Sequence, residues 1–394
     1  MPVLRLAMDA RCVRLVIDGV ARYVLNIVRH LTAREDVTIE IHALTSDEVH
    51  PRLASAPGVT CHEVTRAPEF RWNERRLKFE QSVLPRLLRT LNVDLYHATW
   101  NYGVPRRCPV PAIVTVHDLM PLTFPEEADP GSRLRRWAWR RSTRIAVKAA
   151  RRVIAVSHAT AADLTRLLRV PPERIRVTHE APDDVFFEPV TEAAIRGAAE
   201  TYRLDGPYLL YVGGPGPRKN VGTLLKAAAL ARERGAPVRL ALALKAERVA
   251  SILEDNGLPA GQEGIVPLGY LPDDDLPPLI AGSRAFVFAS RSEGFGLPPL
   301  EAMASGTAVL SSNAASLAEV VADGGHLLDP DDVPAWADAM ARVWTDDAWR
   351  NDLAARGRAH ARLFRWSRTA DQTLAVYREA LGAYPLSPPG RGSG

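Results

Sequence analysis

Short apolar runs that end in a glycine- or acid-bearing turn and lead into a helical pattern recur along this chain, and they leave few architectures open. Ala285-Phe-Val-Phe-Ala289 shows the unit most clearly. It has the length of a strand buried on both faces and is too short for a helix. Ser290-Arg-Ser-Glu-Gly-Phe-Gly296 follows, then a helical pattern from Leu297 towards Gly306. Two glycines allow a tight backbone between strand and helix, and Pro298-Pro299 suit a first turn, where a missing N–H costs nothing. Backbone N–H groups left free there, with the helix dipole behind them, favour an anion such as phosphate. Glu293 precedes the turn and Glu301 lies inside the helix. A carboxylate only accepts hydrogen bonds and can hold two sugar hydroxyls at once. The unit offers a phosphate seat between two hydroxyl-binding carboxylates, which is the layout of a nucleotide sugar.

The same unit opens the chain. Val3–Met8 reads as a buried strand, a loop with Asp9, Arg11, Asp18 and Gly19 follows, and a helix starts near Val20. Gly19 at a helix start lets a ligand approach the backbone, or it is an ordinary turn. Further strands are expected at Val37–Leu44, Asp94–Ala98, Ala112–Val116, Arg152–Val156 and Ile175–Thr178, with a basic helical segment over Arg66–Asn92. The strand Ala112–Val116 ends in His117-Asp118, where doubly wound domains place their ligands. That histidine either does chemistry or orders its loop. Ser157 is placed to cap the helix after Val156.

Periodicity weakens near residues 185–205, which marks a boundary, and Tyr208–Val212 begins a second series of strands. Gly213-Gly-Pro-Gly-Pro-Arg-Lys-Asn220 holds the backbone in a tight turn and delivers Arg218 and Lys219 to its mouth. Adjacent cations there neutralise a diphosphate, Arg as a bidentate fork and Lys as a point charge. The turn lacks the Gly-Lys-Ser/Thr ending of a P-loop. Strands at Val238–Leu244, Ile265–Leu268 and Ala308–Ser311, a short one near Leu327, and three helices from Val333 to Leu381 complete the pattern. Asp273-Asp-Asp275 raises a metal reading, but its place before a helix favours an N-cap with dipole-friendly charges.

At 394 residues the chain is long enough for two cores. No apolar run approaches the ~18 residues of a membrane span, and the N-terminus enters a strand pattern directly, so no signal peptide is expected. Cys12, Cys61 and Cys108 are odd in number and lack metal spacing, as suits reduced thiols in a cytosolic protein. Residues 1–185 carry 29 Lys and Arg against 21 Asp and Glu, a net of +8, while the remainder carries 21 against 25, a net of −4. A basic first half suits an anionic partner or reflects solubilising arginine. Ser132-Arg-Leu-Arg-Arg-Trp-Ala-Trp-Arg-Arg141 carries this to an extreme, as a membrane-surface helix or as a solvated face whose Trp137 and Trp139 pack inward. Charge runs being usually solvated faces, no nucleic-acid partner is expected.

Two consecutive βα-repeating domains are the sum of these elements. In that order, and up to about residue 381, the chain resembles the family 4 glycosyltransferases. The most specific match is Glu293-Gly-Phe-Gly-Leu-Pro-Pro-Leu-Glu301, the two-glutamate signature of retaining GT-B enzymes. Gly213…Arg218-Lys219-Asn220, His117-Asp118, Val156-Ser157 and Gly19-Val-Ala-Arg-Tyr23 support it. The resemblance implies an α/β GT-B fold of two doubly wound, Rossmann-like domains facing a central cleft. The expected boundaries are 1–190 for the acceptor side and 191–365 for nucleotide-sugar binding, with a helix over 366–384 crossing back and a disordered tail over 385–394.

It also implies roles. Arg218 and Lys219 hold the donor diphosphate, with Gly213 and Gly214 in the turn that carries them. Glu301 binds the ribose, and Glu293 faces the transferred sugar. Phe295, Gly296 and Leu297 place backbone at that sugar and its phosphate. His117 contacts the sugar near the reacting carbon, and Gly19 shapes the acceptor side. The expected reaction is metal-independent transfer, with retention, of a hexose from a nucleotide sugar to a glycan, lipid-linked or small-molecule hydroxyl. GDP-mannose is the first donor expected; UDP- and dTDP-sugars stay open. The enzyme is expected in the cytoplasm, with peripheral contact at the inner membrane face. Two departures stand out. Gly19-Val-Ala21 replaces the frequent Gly-Ile-Gly, and Gly214 stands where many members have arginine, which shifts the phosphate load onto Arg218 and Lys219. A GT-B epimerase and a non-catalytic nucleotide-sugar-binding protein are the alternatives.

Overall fold

The computed structural model of the protein describes residues 3–15, 17–65, 74–125 and 133–382. The expected tail 385–394, residues 383–384, the segment 66–73 and the lead-in 131–132 to the Arg/Trp helix lie outside the described residues. The chain divides into two compact units, Met1–Glu180 with Trp366–Gly394 and Ala181–Arg365.

Unit 1 is built on seven parallel strands: β1 (Val3–Asp9), β2 (Thr38–Ser46), β3 (Val59–Thr65), β4 (Leu95–Ala98), β5 (Ala112–Val116), β6 (Arg152–Ala155) and β7 (Ile175–Val177). They run in the order β3-β2-β1-β4-β5-β6-β7. The interior strands β4 and β5 are buried at every residue, which is why they read as largely apolar runs. The edge strand β3, Val-Thr-Cys-His-Glu-Val-Thr, is half-exposed and carries no such run, so the apolar pattern misses it. Chain order reverses between β1 and β4, and ligands of doubly wound sheets gather at such a switch point.

Helix α1 (Gly19–Thr32) buries Tyr23, Val24, Ile27, Val28 and Leu31, and Asp18 caps it by accepting from the Ala21 N–H at 2.9 Å. Each such aliphatic side chain contributes about 2 kcal/mol by leaving water. The described part of the expected basic helix is broken into Glu74–Lys78, a π-helical turn Phe79–Val83 and Leu84–Thr90. Its Arg76 and Glu80 are buried, which the expectation of a basic helical segment does not reveal. Helix α2 (Arg133–Ala149) buries Ser142, Thr143, Ala146 and Val147. Helix α3 (His158–Leu168) is capped by Ser157, which accepts from the Thr160 N–H at 3.0 Å. The C-terminal helix (Trp366–Leu381) belongs to this unit. Its Tyr377 hydroxyl meets His97 Nδ1 at 2.8 Å, its Thr369 hydroxyl donates to the His179 carbonyl at 2.7 Å, and Arg151 donates to the Ala380 carbonyl at 2.9 Å.

Unit 2 has six parallel strands: β8 (Leu209–Tyr211), β9 (Leu240–Leu242), β10 (Ile265–Pro267), β11 (Ala285–Phe288), β12 (Val309–Ser312) and β13 (His326–Leu328). Their order is β10-β9-β8-β11-β12-β13, so the switch point lies between β8 and β11. Behind these strands run α4 (Val221–Glu233), α5 (Leu297–Ala304) and α6 (Ser316–Val321). The weakly periodic stretch near 185–205 holds a helix, Glu192–Thr201, capped by Thr191. It buries only Ala198, and so shows little apolar pattern. Asp273–Asp275 forms a 3-10 turn, not the expected side-chain cap. No side chain caps the helix that follows it, and Asp275 accepts from the Tyr202 hydroxyl at 2.5 Å.

Candidate active site

In unit 2 the two turns singled out in the sequence leave adjacent strands at the switch point, one after β8 and one after β11. Arg218 and Lys219 sit in a 3-10 turn, and Asn220 follows in the left-handed region (φ 55°, ψ 37°). Asparagine tolerates that conformation because its short polar side chain bonds locally. Here Asn220 donates to the Pro330 carbonyl at 2.6 Å and accepts from the Thr223 hydroxyl at 3.0 Å. The turn is tied to its neighbour by a main-chain bond, the Arg291 N–H donating to the Arg218 carbonyl at 2.8 Å, and by a side-chain bond, Arg218 Nη1 donating to the Ser292 carbonyl at 2.7 Å.

These ties bring Glu293 between the two cations. Lys219 Nζ donates to its Oε1 at 2.7 Å and Arg218 Nη1 to its Oε2 at 2.9 Å. Burial works against the Glu293 charge, but Lys219 and Arg218 outweigh it and hold the carboxyl below its usual range. The three side chains keep only 11 to 17% of their surface exposed, yet none is sealed. Lys219 Nζ also lies 5.2 Å from the centre of the Phe288 ring. The Glu293 carbonyl accepts from the Ser316 hydroxyl of α6 at 2.9 Å, so its main chain is fixed while its carboxylate rests on flexible partners.

Gly296 begins α5 at φ 118°, where a side chain would be strained, and a Cβ would stand 2.7 Å from Leu317 Cδ2. Phe295 is buried edge-on against Phe364, with centroids 6.0 Å apart. Leu297 is half-buried, and Glu301 is a buried carboxylate within α5. The first two of the three glycines in the turn after β8 differ. A Cβ on Gly213 would meet the Tyr211 hydroxyl at 2.7 Å, whereas one on Gly214 would meet nothing within 4 Å. Packing demands the first glycine; the second faces open space.

In unit 1, His117 follows β5. Its Nδ1 is 2.9 Å from Glu180 Oε1 and its Nε2 is 2.9 Å from the Thr99 carbonyl. Both nitrogens face acceptors, so both donate when the ring is an imidazolium. Burial pushes the His117 pKa down, but the hydrogen bond and charge of Glu180, with the Thr99 carbonyl and Asp118, raise it above its ordinary value. The His117 N–H donates to Asn101 Oδ1 at 2.9 Å, and Tyr23 of α1 stands edge-on to the ring at 5.0 Å. Gly19 is exposed at the start of α1, and a Cβ there would meet nothing within 4 Å. Among the described residues of unit 1 none requires a glycine at that position.

Sequence reading passed over Glu180, Thr99 and Asn101, the partners of His117. Only Glu180 left a trace, as an acid just beyond the last strand of the unit. It also passed over a buried charge network after β1. Arg11 forks onto Asp9 at 2.8 and 2.6 Å, and Arg76 Nε lies 3.2 Å from Glu80. Burial opposes the Arg11 charge, and Asp9 more than offsets that; Glu80 is pushed up by burial.

Two parallel doubly wound sheets, each with polar groups at its strand ends, are the architecture of the GT-B fold. The comparisons agree. Residues 17–184 match the model of Glycosyltransferase Family 4, and residues 206–346 match that of Glycosyl transferases group 1. An O-antigen chain mannosyltransferase B of Escherichia coli is 33% identical over 92% of this chain and 96% of its own length. Sucrose-phosphate synthase from Thermosynechococcus elongatus shares the fold at a TM-score of 0.71 and 22% identity, covering 96% of this chain and all of that one. Anabaena HepE in complex with UDP-glucose does so at 0.71 and 17%, covering 97% of this chain and 100% of its own. The chain belongs to glycosyltransferase family 4 and is a sugar-transferring enzyme.

Proposed function

We propose that the protein moves a hexose, mannose first, from a nucleoside-diphosphate sugar to a hydroxyl of a glycan, a lipid-linked glycan or a small natural product. Transfer retains the anomeric configuration and needs no metal. The observation that carries this reading is the Glu293 carboxylate held by Arg218 and Lys219 beside the switch point. Two adjacent cations that already bind one anion offer the charge a leaving diphosphate requires. The bond from the anomeric carbon to the β-phosphate oxygen breaks as the acceptor oxygen bonds that carbon, and the acceptor proton passes to the departing phosphate. Arg218 and Lys219 stabilise the negative charge that develops on that oxygen.

When the diphosphate takes these cations, the Glu293 carboxylate is released to accept hydroxyls of the sugar. Glu301 binds the ribose from α5, and the main chain at Phe295, Gly296 and Leu297 lines the donor. Gly214 lets the donor approach the turn. His117 contributes to sugar transfer as a charged imidazolium, and Gly19 shapes the acceptor side. GDP-mannose is favoured as donor because the likeness to a mannosyltransferase runs over nearly the whole chain at 33% identity. The enzyme is proposed to work in the cytoplasm, at the inner membrane face.

Calorimetric titration with GDP, UDP and dTDP tests this reading. GDP is expected to bind at least about tenfold more tightly than the others, a difference of one or two hydrogen bonds. Binding of none of the three would overturn it. Nucleotide sugar that is converted without any acceptor would show an epimerase instead.

A further inference from the structure

The two tryptophans of helix α2 differ in their surroundings. Trp139 packs against the core of unit 1, whereas Trp137 stays 59% exposed and Leu134 74% exposed. The helix carries Arg133, Arg135, Arg136, Arg140, Arg141, Arg144 and Lys148, and no carboxylate. Its buried residues Ser142, Thr143, Ala146 and Val147 lie on one side. At 100° per residue, Trp137, Arg141, Arg144 and Lys148 fall together on the opposite side. With Arg106, Arg140 and Ile145 they line an open groove of about 780 Å³. Among the described residues none of Arg106, Arg141, Arg144 and Lys148 has a carboxylate partner; Arg141 instead lies 5.7 Å from the centre of the Trp137 ring.

Unpaired cations repel one another, and evolution has an easy remedy in a single Glu at i+4 spacing. This face has none. An exposed indole and leucine at its N-terminal end add apolar area that water does not favour. Cations that ring an interfacial tryptophan match a surface that is flat, anionic and apolar underneath. No helix among the described residues is long and apolar enough to cross a membrane, so such contact lies on the bilayer and does not span it. We infer that the exposed face of α2, with Arg106, is a docking surface for an anionic phospholipid bilayer. Trp137 and Leu134 enter the headgroup layer, and Arg141, Arg144 and Lys148 pair with lipid phosphates. The inference rests on the proposed place at the membrane face and names the surface that makes the contact; it is separable from the sugar-transfer chemistry, because its test uses neither donor nor acceptor.

The test is sedimentation of the full chain with vesicles of phosphatidylcholine alone, or with about a third of the lipid replaced by phosphatidylglycerol. Binding is expected only to the anionic vesicles, and it should weaken as salt rises. A basic side chain near such a surface is worth about fivefold, so R141Q/R144Q/K148Q should lose about 100-fold in vesicle affinity. Trp137→Ala should weaken binding severalfold and leave its salt dependence intact. R196Q/K226Q/R234Q removes as many cations from unit 2 and should change binding little, which separates a local face from overall charge. The circular dichroism of each variant checks its folding. Equal binding to neutral vesicles, no vesicle binding, or equal losses in the two triple variants would overturn the inference. So would binding to duplex RNA or DNA, lost in R141Q/R144Q/K148Q, without binding to vesicles.

Discussion

The strand ends of the two units hold charge in opposite ways. At the tip of β5 one cation, His117, is enclosed within its own unit by two acceptors, a carboxylate and a main-chain carbonyl, with the Tyr23 ring packed against it. Beside β11 one anion, Glu293, rests on two long cationic side chains that retain some exposure. The imidazolium has two short, directional bonds and little room to move. Arg218 and Lys219 each lose only a side-chain partner if another anion arrives, because the turn that carries them is held by main-chain bonds from Arg291 N–H to the Arg218 carbonyl and from Lys219 N–H to the Gly216 carbonyl. Unit 1 therefore holds a fixed charge, and unit 2 holds exchangeable ones. A leaving diphosphate needs the second arrangement.

The largest effect that would break this contrast is at Lys219. Lys219→Ala should reduce transfer from the nucleotide sugar by about 100- to 1000-fold, the size expected when one donor to a developing oxyanion is lost. A turnover assay with saturating acceptor checks it. In unit 1 the corresponding change is Glu180→Gln, which keeps shape and removes charge. The His117 pKa lies above its ordinary 6.5 in the folded protein, so the pair contributes stability that is full below pH 6.5 and is lost as pH rises through the folded value. Glu180→Gln should cost about 1–3 kcal/mol near pH 6 and less near pH 9. Urea unfolding at the two pH values, with an NMR titration of the imidazole, measures both.

A smaller pair of effects separates packing from ligand approach. Gly213→Ala should destabilise by about 1–3 kcal/mol, because its methyl meets the Tyr211 hydroxyl. Gly214→Ala should leave stability within about 0.5 kcal/mol, and any loss it shows should fall on donor KM. Thermal unfolding and steady-state kinetics distinguish the two. The smallest effect is at His97, whose pKa falls to about 3 because burial, then the His117 charge, disfavours its cation. The unfolded chain takes up that proton below about pH 6.5 and the folded one does not, so stability declines on acidification. His97→Gln should lessen that decline in unfolding experiments between pH 7 and 5.

Interior strands were legible because parallel pairing buries both faces and leaves apolar runs such as Ala112–Val116 and Ala285–Phe288. The half-exposed edge strand β3 was not, since its mix of polar and apolar residues leaves no apolar run. The unit 2 turns were legible for a related reason. Two glycines, two prolines and adjacent cations are unusual, and Arg218, Lys219 and Glu293 converge although 74 residues separate Lys219 from Glu293. That the cations would already be neutralised by Glu293 could not be read, because the pairing depends on which strands are neighbours. The partners of His117 were hidden in the same way. Thr99 offers only its main-chain carbonyl, which no side-chain pattern records, and Glu180 comes from the far end of the unit. That Arg76 and Glu80 of the basic segment are buried was not legible either, because burial of charge leaves no mark in composition.

The central claim is that Arg218 and Lys219 form a diphosphate seat which Glu293 fills until the donor comes. It is tested most directly by titrating nucleoside diphosphate into Glu293→Gln. Removing an internal competitor should leave the Kd unchanged or lower it by about three- to tenfold, while turnover falls by about 100-fold. A Glu293→Gln enzyme that binds nucleoside diphosphate as poorly as Lys219→Ala would contradict the claim, since the carboxylate would then be a support of the seat and not its occupant.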